Sequence, residues 1–341
     1  MTLKAVLVGC GAMSQTWLTA AAQIEGLQIV GLADLDGERA RSVAERHGLN
    51  DACISTDVND LLARTHPDLL FDLVVPAARH GVVTAALAAG CHVLTEKPMA
   101  ETLEQARDLV AKAKAAKRLH AVVQNRRYLP SVRRIAAALA GGVIGEVTSV
   151  HADFFLAPHF GGFRDEMDHV LLLDMAIHAF DALRCMTGLA ARKVYCQEWE
   201  ARETWFRQGS SAAAIFEMDN GAVFNYRGSW CAAGLTTSWE CSWRFVGTRG
   251  TLLWDGNEQV RAEVISPQRN DLFDEVVPVL LSTDTPPGRT GGHLGVLQDF
   301  IAAVRGGPAP ETSGHDNIHS LAMTLGAIDS ARLGRRIDIA N

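Results

Sequence analysis

The first thirty-four residues narrow the possible folds more than any other stretch. Leu3 to Val8 is an apolar run broken only by Lys4, the pattern of a parallel strand buried on both faces. It runs straight into Gly9-Cys10-Gly11-Ala12-Met13-Ser14. Trp17 to Gln23 reads as a helix, and Gln28 to Ala33 as a second apolar strand ending at Asp34. Strand, glycine turn, helix, strand and acid, in that order, are the context of a dinucleotide-binding fingerprint.

Each part of that fingerprint has a physical task. Gly9 permits the turn and Gly11 lets the backbone approach a pyrophosphate. The helix N-terminus offers free N–H groups and a partial positive charge to that anion. Asp34 lies twenty-three residues past Gly11, where a carboxylate accepts bonds from ribose hydroxyls. Its charge repels a 2′-phosphate, so NAD is expected over NADP. Arg39 is close enough in sequence to offset this in part, which keeps NADP open. Ser14 stands where the pattern has its third glycine.

Strands and helices keep alternating. Helices are expected at Glu38 to His47, Asp60 to Arg64, Val82 to Ala89 and Leu103 to Ala116, with strands at Leu69 to Val75, Cys91 to Leu94 and Leu119 to Val123. This is a doubly wound parallel sheet, a Rossmann domain over residues 1–123, and it binds ligands beyond the carboxyl ends of its strands. Pro76-Ala77, Glu96-Lys97 and Gln124-Asn125 sit at such ends, and Pro76, Ala77, Glu96, Lys97 and Gln124 join Gly9, Gly11, Ala12, Met13, Asp34 and Arg39 as expected cofactor contacts. Pro98 keeps Lys97 out of the α region. A stiffly held Lys at the end of a buried strand suits chemistry on the cofactor side of the sheet.

Residues 124–341 read as an α+β domain for substrate binding and oligomerisation. Pro130 to Ala140 and Val170 to Met186 have helical spacing, and Glu146 to Leu156 is a strand. Lys193–Trp199, Ala212–Met218, Ala222–Trp230, Thr236–Val246, Gly250–Trp254 and Val260–Ile265 follow as a large open, mostly antiparallel sheet. Asp219-Asn220-Gly221 marks a hairpin. Trp239, Cys241, Trp243 and Phe245 alternate with Glu240, Ser242 and Arg244, giving one apolar and one polar face. Asp284 to Gly292 is a Pro/Gly loop, and helices at His293–Arg305 and about Asp316–Leu333 close the chain.

Asp174 and His178 lie four apart on the 170–186 helix, so they share a face. His with a carboxylate is common equipment for moving a proton near neutral pH. Asp181 reads as a structural partner. His169 and Cys185 flank the pair, but the spacing fits no standard metal motif, and no metal is expected. The loop 158–166, with His159 and Arg164, is either a substrate-selecting segment or a solvated lid.

Bulk properties limit the partners. Net charge is −7, which disfavours nucleic acid and anionic membrane surfaces. Seven Cys without CxxC spacing, several in apolar runs, read as reduced thiols of a cytoplasmic protein. No apolar stretch reaches membrane-spanning length.

Gly9-Cys10-Gly11-Ala12-Met13, Glu96-Lys97-Pro98, Asn125-Arg126-Arg127-Tyr128 and Asp174-Met175-Ala176-Ile177-His178-Ala179-Phe180-Asp181 together resemble the glucose–fructose oxidoreductase, inositol dehydrogenase and rhizopine catabolism (Gfo/Idh/MocA) family. Gly291-Gly292-His293 and Gly334-Arg335-Arg336 add to the likeness. The resemblance implies an NAD(P)-dependent dehydrogenase or reductase of a sugar, polyol or related hydroxy compound. It implies that Lys97, Asp174 and His178 line the substrate beside the nicotinamide, that Arg127 reaches it too, and that the protein is a homodimer or homotetramer. Some relatives bind NAD(P) without chemistry and act as regulators, which is the alternative. Retention of Lys97, Asp174 and His178 favours the enzyme.

Overall fold

The computed structural model describes residues 2–269, 272–282 and 291–339. The described chain divides into two compact units. The first holds residues 2–128 and 291–318, and the second holds 129–269, 272–282 and 319–339. The expected boundary at 123/124 thus lies five residues early, and residues 291–318 pack with the first unit instead of the second. The expected loop at Asp284–Gly292 lies outside the described residues over 284–290.

The first unit is a six-stranded sheet. Its strands are β1 (Leu3–Val8), β2 (Leu27–Ala33), β3 (Cys53–Ser55), β4 (Leu69–Asp72), β5 (His92–Thr95) and β6 (His120–Val122). They stand in the order β3-β2-β1-β4-β5-β6, and every pair is parallel. Helices α1 (Met13–Ala21), α2 (Gly37–Arg46), α3 (Val58–Thr65), α4 (Pro76–Ala88) and α5 (Leu103–Ala116) connect them. The short β3 was not expected from the sequence.

Both faces of this sheet are covered, as the unbroken apolar run of β1 requires. Leu3, Ala5 and Leu7 join one core with Trp17 and Leu18 of α1 and with Val296, Leu297, Phe300 and Ile301. Val6 and Val8 point the other way, into a core with Leu61, Leu62, Val83 and Leu109. The late residues come from a helix over His293–Val304. Their apolar side completes the face that α1 only partly covers, which is why this segment belongs to the first unit.

The second unit is a nine-stranded sheet of β7 (Val147–Phe155), β8 (Ala191–Trp199), β9 (Ser211–Met218), β10 (Val223–Ser229), β11 (Ser242–Gly247), β12 (Gly250–Trp254), β13 (Val260–Arg269), β14 (Asp274–Val279) and β15 (Ile337–Asp338). Its order is β14-β13-β12-β11-β7-β10-β9-β8-β15. Only β7 and β10 pair in parallel among neighbours; the other pairs are antiparallel. The β9–β10 hairpin turns at Asp219-Asn220-Gly221, with Gly221 at φ +85°. Helix α6 (Pro130–Ala140) and helix α7 (Ile177–Thr187) also belong here. Phe180 of α7 meets Phe216, Phe224 and Tyr226 edge-on and seats that helix on the sheet.

Two expectations are corrected. Val170 to Met186 is not one α-helix, because Leu171–Ala176 is a π-helix and α begins at Ile177. The expected strand from Thr236 starts only at Ser242, so Trp239, Glu240 and Cys241 lie in a turn. Ser238 makes that turn, accepting the Glu240 N–H at 3.0 Å. Among the described residues no helix is long and apolar enough to cross a membrane.

Candidate active site

Register explains why residues distant in sequence share one edge of the first sheet. Ala33 pairs with Val8, Val8 with Asp72, Asp72 with Thr95 and Thr95 with Val122. The residues that follow are Gly9, Asp34, Leu73, Glu96 and Val123, with Lys97, Gln124, Pro76 and Ala77 just beyond. A doubly wound sheet presents its ligand crevice here, next to the point where strand order reverses between β1 and its neighbours.

At this edge Gly9 has φ +96°, and a Cβ on it would stand 2.7 Å from the Leu73 carbonyl carbon and oxygen. Any side chain there would drive β1 and the β4 exit apart. Beside Gly11 a Cβ would meet nothing within 4 Å, so the turn opens onto free space. Helix α1 has no side-chain cap and no acid in its first turn. That leaves its N-terminal N–H groups suited to an anion. Ser14 costs the turn nothing: it is buried, and its hydroxyl donates to Gly11 O at 2.7 Å.

Asp34 braces the same turn. Its Oδ2 accepts the Cys10 N–H at 2.8 Å and its Oδ1 the Asp36 N–H at 2.9 Å. Arg39 reaches Oδ1 at 3.3 Å from a largely exposed position. Oδ2, with one donor, keeps room for a further one such as a ribose hydroxyl. Burial and the Asp34 charge push the Cys10 thiol up to about 12, so it stays protonated. Gln124 is 1 % exposed, and its amide has no partner among the described residues. A buried orphan amide at the carboxyl end of β6 and an uncapped helix over an open glycine turn fit a bound dinucleotide.

The Glu96-Lys97-Pro98 segment is held from several sides, and the Lys97–Pro98 bond is cis. Trp17 Nε1 donates to Glu96 Oε1 at 2.7 Å, and the Lys97 N–H donates to Oε2 at 3.2 Å. His293 Nε2 lies 3.9 Å from the same carboxylate. Burial lowers the His293 pKa, with Glu96 opposing. Below the segment, buried Arg79 donates to Asp72 at 3.0 Å and also to the carbonyls of Pro98 and Val74. Burial raises the Asp72 carboxyl, while Arg79 and the Thr95 hydroxyl pull the other way. Glu96 is thus an internal brace. Sequence reasoning missed Trp17, Asp72 and Arg79 as parts of this support. The available signal was an Asp ending an apolar strand and an Arg inside an apolar helix.

Arg127 is 6 % exposed, and its guanidinium bonds Asp316 at 2.6 Å and the Glu311 carbonyl at 3.4 Å. It braces the 311–316 segment within the first unit.

In the second unit, Asp174 lies inside the π-helix and His178 in the first turn of α7. Short π segments recur at functional sites because they re-aim the side chains around them. Asp174 is 9 % exposed, and its Oδ2 accepts from Arg164 Nε at 2.8 Å. The Arg164 guanidinium also lies 5.0 Å from the Phe160 ring centroid and 4.8 Å from that of Phe163. His159 stacks on Trp205 at 3.7 Å. The 158–166 loop is therefore tied to Asp174. Among the described residues no group of three or more His, Cys, Asp or Glu could hold a metal ion.

Comparison with known proteins agrees with both sheets. The oxidoreductase family model for the NAD-binding Rossmann fold matches residues 3–124, and the Gfo/Idh/MocA C-terminal domain model matches residues 132–253. The chain is 26 % identical to the D-apiose dehydrogenase of Paraburkholderia graminis, over 98 % of this chain and 89 % of that protein. It is 24 % identical to the 1,5-anhydro-D-fructose reductase of Ensifer adhaerens, over 98 % and 97 %. An oxidoreductase from Agrobacterium radiobacter, solved with NAD+, L-tartaric acid and magnesium, shares the fold with a TM-score of 0.85 at 22 % identity, covering 99 % of each chain. Matched over residues 3–124 and 132–253 by the two domain models of one family, this chain belongs to the Gfo/Idh/MocA oxidoreductases, whose N-terminal part is an NAD-binding Rossmann fold.

Proposed function

We propose that the protein oxidises a hydroxyl group of a sugar, polyol or related compound to a carbonyl, or runs the reverse reduction, with NAD as the preferred cofactor. The observation that carries this reading is the braced Glu96-Lys97-Pro98 segment on the edge that also bears the Gly9–Gly11 turn, Asp34 and Gln124. The relatives named for D-apiose and 1,5-anhydro-D-fructose support a sugar-like substrate. When bound, the nicotinamide supplies the hydride acceptor or donor.

The chain's own residues handle oxygen and proton. His178 takes the hydroxyl proton as general base. Lys97 donates to the reacting oxygen and stabilises the developing alkoxide. Asp174, fixed by Arg164, orients His178 or binds a neighbouring substrate hydroxyl. Gly9, Gly11, Ala12 and Met13 face the pyrophosphate, Asp34 the adenosine ribose, and Pro76, Ala77 and Gln124 line the remaining cofactor path. Residues 1–128 and 291–318 serve the cofactor; the remainder serves substrate and assembly. A panel of aldoses and polyols with NAD+ and NADP+, and of sugar lactones with NADH and NADPH, tests this. Cofactor reduction or oxidation with at least one member supports it, and binding of NAD without turnover of any member refutes it in favour of a regulator.

We also propose a dimer or tetramer built on the open face of the second sheet. Tyr195, Ile215, Asn225, His151, Arg244, Leu253 and Arg261 form one cross-strand row there. Tyr195 is 41 % and Ile215 48 % exposed, an apolar end on a charged row that suits self-association.

A further inference from the structure

Strands β7, β8 and β10 run in the same direction, since β8 and β10 each lie antiparallel to β9 and β10 lies parallel to β7. Trp199, Ser211, Ser229 and Phe155 form a terminal row, so the connections after β7, β8 and β10 leave one edge of the sheet. All three carry aromatic residues to that edge. Trp230 is 1 % exposed and anchors the group, with Phe154 at 5.1 Å, Phe160 at 5.4 Å and Trp239 at 5.7 Å. Phe160, Phe163 and Trp239 stay 43 %, 53 % and 47 % exposed. Rings fixed on one side and wet on the other are costly to leave bare and suited to stacking.

The patch is continuous with Asp174, because Arg164 touches both Phe160 and Phe163 and donates to the Asp174 carboxylate. We propose that this aromatic edge is a subsite for the apolar or second-ring substituent of a glycoside whose oxidised sugar lies toward Asp174. The inference rests on the sugar-oxidoreductase reading above. Sugar rings and aryl groups present C–H or π faces that pack on exposed rings. A phosphorylated substituent suits the patch poorly, because its guanidinium is already neutralised by Asp174. The tie through Arg164 favours a substrate group over a second copy of the chain.

The test compares phenyl and methyl glycosides of the same sugars, using the full-length protein. The wild type should prefer the phenyl glycoside in kcat/KM by about tenfold, the order expected for one or two stacked ring contacts. Trp239→Ala should bring that ratio close to one, and Trp239→Phe should keep most of it. Tryptophan fluorescence, read without cofactor, should respond to the phenyl glycoside at concentrations where the methyl glycoside has no effect. A wild-type ratio near one, or an unchanged ratio in Trp239→Ala, overturns the subsite. So does a Trp239→Ala protein whose mass by light scattering drops to the monomer, since the patch would then join two copies. If no sugar or glycoside is turned over, the sugar-oxidoreductase reading fails, and the fluorescence comparison alone decides the subsite.

Discussion

Trp17 donates its indole N–H to the Glu96 carboxylate across seventy-nine residues of sequence, 2.7 Å apart and away from water. The bond ties the first helix after the glycine turn to the segment that carries Lys97. Trp17→Phe keeps most of the ring burial but leaves one carboxylate oxygen short of its donor. Loss of about 1–3 kcal/mol is expected by urea unfolding. A several-fold fall in kcat should accompany it, because the Lys97 N–H hangs on the same carboxylate. Unchanged stability would show that the bond is dispensable.

Lys97→Met deletes the charge and keeps the stem. With a true substrate it should lower kcat by about 10²–10³-fold while NAD affinity and folding persist. His178→Asn should cost a comparable amount and remove the acid-side fall of the pH–rate profile, where a catalytic imidazole is protonated. Near wild-type kcat in Lys97→Met would make Lys97 a structural residue.

Asp34→Ser should weaken NAD and relatively improve NADP, by about 1–3 kcal/mol for a lost charged hydrogen bond. Asp34 also accepts from the Cys10 N–H, so part of the loss should appear as a looser turn and a lower Tm. A wild type that prefers NADP would point to Arg39 instead.

His120 is 5 % exposed, neither ring nitrogen has a partner among the described residues, and burial with nearby Arg79 lowers its pKa to about 4. In the folded protein it stays neutral down to about that pH, whereas the unfolded chain protonates near 6.5. Between those values the unfolded state binds the extra proton, so stability falls as pH drops through the window. The loss should be of order 3 kcal/mol when complete. His120→Leu should show a shallower decline than wild type in urea unfolding between pH 7 and 4.5. Parallel declines would remove His120 as the cause.

Sizing with light scattering at micromolar concentration should find a dimer or tetramer. Ile215→Glu places a charge at the apolar end of the exposed row and should shift the protein toward monomer with little effect on Tm. A wild-type monomer would refute pairing through this sheet.

Much of this molecule is readable from the chain because its strands are buried on both faces and appear as plain apolar runs. The stretch from Leu3 to Asp34 and the edge positions of Lys97 and Gln124 are of that kind, whereas the Asp219–Gly221 hairpin is legible from its turn residues. What escapes reading depends on packing between distant segments. The Trp17–Glu96 bond and the Arg79 brace join residues with no mutual spacing pattern. The π segment has the same apolar content as an α-helix, and only its neighbours decide the extra residue per turn. Strand β14 was missed because it is exposed along nearly all of its length and alternates no apolar face.

Val296, Leu297, Phe300 and Ile301 enter the same core as Leu3, Leu7 and Trp17. During synthesis the first unit must therefore wait for its last wall. From residue 128 to residue 301 a ribosome needs roughly 10–35 seconds. Over that interval the nascent sheet holds an uncovered apolar flank, and it is then open to chaperones or to premature pairing. A gene fragment that stops at residue 128 would make this temporary state permanent.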